Sequence, residues 1–438
     1  MFEIYKKLLS ELIKFKSIST DPTAKGEMAA ASQWLKDIFE AKGFQVNILE
    51  GYGNPVVVAS LVIDPNLKTC LIYGHYDVQP ASLEEGWLSE PFELNERDGR
   101  IYGRGSTDNK GQFLIHVASI FDLLEKKQLG YNIKFMLEGD EETGSPFLEK
   151  LITDNQKLLT ADLAMVSDGE VVGDWPVIET GFRGGFNSTL TVRTAAMDLH
   201  SGLYGGAAPS AAHVLAKFVA NLFNEKNEVA VPGFYDNVDV IDVATAANNK
   251  TLPFDQTEYE KITGCKTLLM EPEMNFYSQT GLRPTIQATT LVSGYLGDGY
   301  RNGIPATAFV KLNFRLVKSQ DPLKVVEIFR NYLKTVLPTY VEYDFQVRDP
   351  YEGIKLNTEN EYVKKAVSVW EKVAGKKPLF KYVGGGLPIV TLFNDVLKVA
   401  QVVTPLANED CAMHAVQENI KIVNVERGLA FSQTFFGL

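Results

Sequence analysis

Asp140-Glu141-Glu142 places carboxylates directly after the apolar run of residues 131–137. Such a run reads as a buried strand, and in an α/β sheet ligands gather at the carboxyl ends of the strands. Two further runs end in the same way. Residues 70–73 lead into Gly74-His75-Tyr76-Asp77, and residues 162–166 lead into Ser167-Asp168-Gly169. One imidazole and several carboxylates are thereby brought to a common sheet edge. Adjacent carboxylates are costly to keep charged unless a proton or a cation compensates, so this is a donor set for divalent metal.

His75 and Asp77 stand two residues apart, which on an extended backbone puts them on one face. One of them can bind metal while the other holds neighbouring groups in place. Asp108 lies in the glycine-rich turn of residues 103–111 that enters a helix, where its carboxylate could bridge two ions. His414 offers a second imidazole from the far end of the chain. With no sulfur among the donors, Zn²⁺ or Mn²⁺ fits, and the donor types do not choose between them. The competing readings are a buried hydrogen-bonded pair for His75 and Asp77, and a solvated turn for Glu141 and Glu142. Their joint occurrence at strand ends favours the metal centre. His116, in the helical run after Asp108, and His213, in an Ala-rich helix, read as structural. Cys411 reads as a buried free thiol.

These groups need a frame of alternating helices and strands. Helical periodicity covers residues 2–16 and 27–42, with Gly43 as a C-cap, and strand-like runs follow at 45–49 and 56–63. Another helix starts near Asp108 and runs through Leu124. This is an α/β layer pattern, a mostly parallel central sheet flanked by helices. Between residues 186 and 353 the strands instead alternate apolar and polar positions, as at 188–193 and 308–314. Alternation gives one buried face, which suits a smaller antiparallel sheet covered by helices at 209–223 and 322–336. A helix at 360–373, a strand at 398–403 and a helix at 417–430 return to the first layer pattern. The expected organisation is a catalytic metal-binding domain of residues 1–185 and 354–438 with an inserted α/β domain of residues 186–353. Residues 231–280, with Pro232, Pro253 and Pro272, show no readable periodicity.

The 438 residues are 45% hydrophobic and 22% charged, as in soluble globular proteins. A formal net charge of -12 argues against a nucleic-acid or anionic-membrane partner and leaves small-molecule chemistry as the default. Three widely spaced cysteines, Cys70, Cys265 and Cys411, suggest neither a disulfide framework nor a cysteine-based zinc site. A reducing cytoplasm is the expected compartment, with no signal peptide or membrane-spanning run in view.

The stretches Gly74-His75-Tyr76-Asp77-Val78-Gln79-Pro80, Gly103-Arg104-Gly105-Ser106-Thr107-Asp108-Asn109-Lys110-Gly111, Glu141-Glu142-Thr143-Gly144-Ser145 and Ser167-Asp168-Gly169, with the late His414, carry a resemblance. In this order they resemble the dinuclear zinc amidohydrolase family of carnosinase-type dipeptidases, aminoacylases, glutamate carboxypeptidases and succinyl-diaminopimelate desuccinylase. The resemblance covers nearly the whole chain, and Asp168 in place of glutamate looks more like the dipeptidase branch. It implies that His75, Asp108 and Asp168 ligate one or both ions, with Asp108 bridging, and that Glu142 and His414 complete the coordination of the second ion. Asp77 would orient His75. Glu141 would be the general base that takes a proton from the metal-bridging water and passes it to the leaving amine. The Asp108–Asn109 peptide would be cis. His200, in Asp198-Leu199-His200-Ser201-Gly202, would stabilise the oxyanion across the interface of a homodimer formed through the inserted lid domain, and Arg315 would clamp a substrate carboxylate. Asn302 and Gly386 stand where the family has threonine and serine, and are the departures among the substrate-binding positions. The implied reaction is metal-dependent hydrolysis of dipeptides or short peptides with a free C-terminal carboxylate. The alternatives are an N-acyl-amino-acid deacylase and a catalytically silent scaffold.

Overall fold

Continuous apolar runs form the centre of the first unit because strands buried on both faces need no polar alternation. A computed structural model describes residues 1–438, which divide into two units. The first comprises residues 1–180, 356–380 and 389–438. Its six-stranded sheet runs in the order Gln45–Leu49, Val56–Leu61, Asn132–Glu138, Thr69–His75, Leu163–Val166, Ala400–Val403. The last four run parallel, and the first two join antiparallel at one edge. Three parallel strands therefore end together, delivering His75, the turn after Glu138 and the turn after Val166 to one edge of the sheet.

The helix Lys110–Glu125 is apolar around most of its circumference, and residues 110–123 are all buried, as expected of a helix covered on every side. It packs on the His75 strand and between the helices Phe2–Leu12 and Ile422–Phe436. Its first turn approaches the preceding loop so closely that a Cβ at Gly111 would lie 1.8 Å from the Ser106 carbonyl oxygen. Only glycine fits there, and the close approach sets where Asp108 points.

The second unit comprises residues 181–355 and 381–388. Its antiparallel sheet has the order Thr285–Ser293, Thr307–Leu316, Gly184–Arg193, Glu342–Tyr351. Alternate residues Phe186, Leu190, Val192, Val310, Leu312 and Phe314 are buried, and the helices Ala211–Ala220 and Pro322–Val336 supply the rest of that core. The second helix starts where sequence places it. Asp321 accepts from the backbone N–H of Leu323 and Lys324, and Pro322 takes the first helical position, where a missing N–H costs nothing.

Several boundaries differ from the sequence reading. The last helix begins at Ile422 rather than 417, because Asn419–Lys421 is drawn into an antiparallel pairing with Arg100–Tyr102. The first helix stops at Leu12, and the Ala-rich helix spans only Ala211–Ala220. Within residues 231–280 lie the short helices Val243–Thr251 and Gln256–Thr263, with Phe276–Leu282 reaching just past that stretch. They are opened by side-chain caps at Asp242, Asp255 and Asn275. No helix is long and apolar enough to cross a membrane.

Candidate metal centre

Two donor clusters form at the carboxyl edge of the first unit's sheet. His75, Asp108 and Asp168 place their ligand atoms within 4.8 Å of one another, and so do Asp108, Glu142 and His414. Asp108 belongs to both. Its Oδ1 lies 2.9 Å from His75 Nε2 and its Oδ2 lies 2.8 Å from His414 Nε2, so each oxygen addresses a different imidazole. His414 Nε2 is also 3.2 Å from Glu142 Oε2, and His75 Nε2 is 3.7 Å from Asp168 Oδ2. The Asp108–Asn109 peptide is cis.

The donors fit divalent cations. His75 is fully buried, and its Nε2 has no hydrogen-bond partner although two carboxylates crowd it. Three carboxylates gathered in a mostly buried cluster repel one another and lose hydration, costs that bound cations offset. Imidazole nitrogens and carboxylate oxygens without sulfur suit Zn²⁺ or Mn²⁺. Cys411 stands apart from both clusters, its buried thiol donating to Glu170 Oε1 at 3.2 Å.

Asp77 contacts both the His75 ring and the acidic turn. His75 Nδ1 makes its hydrogen bond to the backbone carbonyl of Asp77, at 3.1 Å, and the Asp77 carboxylate is 3.4 Å away. That carboxylate also accepts the backbone N–H of Glu141 at 3.3 Å and of Glu142 at 3.0 Å. The same residue thus fixes both a ring and the acidic turn. Glu141 belongs to neither donor cluster. Burial pushes its carboxyl up to about 7, opposed by His75 and assisted by Asp108, Asp77 and Glu142.

Further residues hold this arrangement that no local pattern singled out. Glu418 is fully buried and accepts from the backbone N–H of Gly105, Thr107 and Asp108, and Arg104 pairs with it at 2.8 Å. It therefore pins the turn that carries Asp108. Asn109 donates to Asp168 Oδ1 at 3.0 Å, and Gln79 donates to Glu142 Oε2 at 2.6 Å. Glu138 accepts from Tyr73 and Ser145, and burial raises its carboxyl to about 8. His116 is buried between Ser432 and Ser167, and burial lowers its ring to about 3, as expected of a structural histidine.

The profile of Peptidase family M20/M25/M40 matches residues 71–436, which include all five donors and Glu141. The chain belongs to this family. Among relatives of this M20-family chain is the Beta-Ala-His dipeptidase of Rattus norvegicus, 29% identical over 391 residues, covering 87% of this chain and 79% of that protein. A Cys-Gly metallodipeptidase of Saccharomyces cerevisiae is 27% identical over 452 residues, covering 96% and 92%. Of solved structures, human carnosine dipeptidase 1 superposes with a TM-score of 0.86 at 26% identity, covering 99% of this chain and 95% of that one. An M20 family metallo-carboxypeptidase from Sulfolobus solfataricus gives 0.87 at 29% identity, covering 99% and 98%. The M20-family chain is accordingly an enzyme, a metallopeptidase, of mixed α/β fold.

The remaining expected site residues lie in the second unit. His200 is exposed, in a two-residue strand paired with Gly303–Ile304, and its Nδ1 accepts from the Gly202 N–H at 3.0 Å. The Asn302 carbonyl accepts from Ser201 N–H, while its side chain faces solvent. Arg315 is half-buried, with Nε donating to Asn313 and Nη1 to Tyr351. A side chain at Gly386 would strike the Tyr351 ring at 2.6 Å.

Proposed function

We propose that this enzyme hydrolyses the peptide bond of dipeptides that end in a free carboxylate. The observation that carries this reading is the shared carboxylate of Asp108, addressed on one side by His75 and on the other by His414. It supports a dinuclear centre held by His75, Asp108, Asp168, Glu142 and His414. Bound there, two divalent ions would acidify the attacking water and polarise the scissile carbonyl.

The chain's own residues supply the rest. Glu141, outside both donor clusters but on the turn that carries Glu142, accepts the proton of the attacking water and returns it to the leaving amine. Asp77 keeps Glu141 and Glu142 on their turn and His75 in its ring orientation. Arg315 binds the substrate's terminal carboxylate, which a guanidinium's paired donors match. His200 donates to the oxyanion of a neighbouring subunit in a homodimer. Its exposure, beside exposed Leu203 and Tyr204, supports a role outside its own subunit.

The carboxylate assignment has a direct test. Arg315→Ala lowers kcat/KM for dipeptides roughly 10- to 100-fold, the usual worth of a hydrogen bond to a charged group, and leaves their C-terminal amides at the wild-type rate. Equal losses on acids and amides, measured by amine release, would remove Arg315 from substrate recognition.

A further inference from the structure

We infer that Tyr351 is a second substrate-binding group of the carboxylate subsite, its hydroxyl donating beside the Arg315 guanidinium. The inference rests on the reading of Arg315 given above and adds a partner to it.

Arg315 and Tyr351 stand on the strands either side of Gly184–Arg193, and both are in register with Gly185. Register partners project from the same face of a sheet, and strands two apart are separated by roughly 10 Å. Long side chains close that gap only if nothing rises between them. Gly185 has no side chain, and a Cβ there would lie 2.0 Å from the Phe314 carbonyl oxygen, so the position stays bare. Arg315 Nη1 reaches across and donates to the Tyr351 hydroxyl at 2.9 Å. A register shift between Arg348 and Tyr351, with Asp349 at φ +51°, turns the end of that strand. Bulges of this kind re-aim a side chain at a functional edge.

The phenol oxygen accepts from the guanidinium, so its own proton remains to be donated. Guanidinium and phenol then present adjacent donors, the pattern a carboxylate accepts. Asn313 fixes the Arg315 Nε at 3.1 Å, holding the pair in place. A Cβ at 386 would meet Tyr351 Cε2 and Oη at 2.6 Å, so the bare backbone at Gly386 leaves room for the ring where it stands. Arg183 donates to the Gly384 carbonyl at 2.8 Å and keeps the triple-glycine segment against the tyrosine.

The test uses the full-length, metal-loaded enzyme, dipeptides and the corresponding C-terminal amides. Tyr351→Phe raises KM for dipeptides roughly 10-fold or more, the scale of one hydrogen bond to a charged group, with kcat and the amides little changed. An unchanged KM in Tyr351→Phe overturns the inference. If Arg315→Ala also leaves KM unchanged, the carboxylate reading itself fails. If Arg315→Ala raises KM and Tyr351→Phe does not, the tyrosine alone is excluded.

Discussion

Glu141→Gln lowers kcat by about 100- to 10,000-fold, the range a positioned general base contributes, while the metal content of the protein stays at the wild-type level. The separation of the two effects follows from the geometry. Glu141 stands outside both donor clusters, and the Asp77 carboxylate holds its backbone rather than its side chain. An amide of equal size keeps that backbone bond and loses only the ability to take a proton. Turnover assayed beside metal analysis of the same preparation gives the answer. Retained turnover would remove Glu141 from proton transfer, and lost metal would make it a ligand.

Asp108→Asn has the second large effect, and its signature is the opposite one. Asp108 is the member common to both clusters, with one oxygen turned to each imidazole. An asparagine presents one carbonyl oxygen and an NH₂ that cannot ligate, so one imidazole faces a donor rather than an acceptor. Loss of a negative charge from a buried anionic cluster also weakens cation binding generally. Dialysed variant protein is expected to hold less than one ion per chain, and activity falls to that of chelator-treated enzyme. Two retained ions in Asp108→Asn would show that the carboxylate does not bridge.

Much of this centre was legible because parallel strands buried on both faces leave unbroken apolar runs in the sequence, and the residues after each run fall at one edge. His75, Glu142 and Asp168 were found in that way, and Asp108 through the glycine-rich turn. Glu418 was not legible. Its function depends on backbone N–H groups of residues 105–108 and on Arg104, more than 300 positions away in the chain, and no local period reports such a contact. Residues 417–421 looked helical because the apolar spacing of the following helix extends back through them, yet strand pairing with Arg100–Tyr102 takes Asn419–Lys421. Asp77 showed a different limit. Its spacing from His75 was visible, but not that its backbone carbonyl would share the ring with the carboxylate, nor that the carboxylate would also hold the backbone of the acidic turn. In the second unit, the caps Asp242, Asp255 and Asn275 were present in the sequence, but helices of 9, 8 and 7 residues are too short to show a period. The meeting of Arg315 with Tyr351 across Gly185 depends on registers set by two separate hairpin-like pairings and was invisible along the chain.

Amine release from a panel of dipeptides, tripeptides and N-acyl amino acids, by protein stripped with a chelator and reloaded with Zn²⁺ or Mn²⁺, tests the central claim most directly. The stripped protein is expected to be inactive and the reloaded protein to cleave dipeptides with a free carboxylate. Turnover confined to N-acyl amino acids, or full activity without metal, would contradict it.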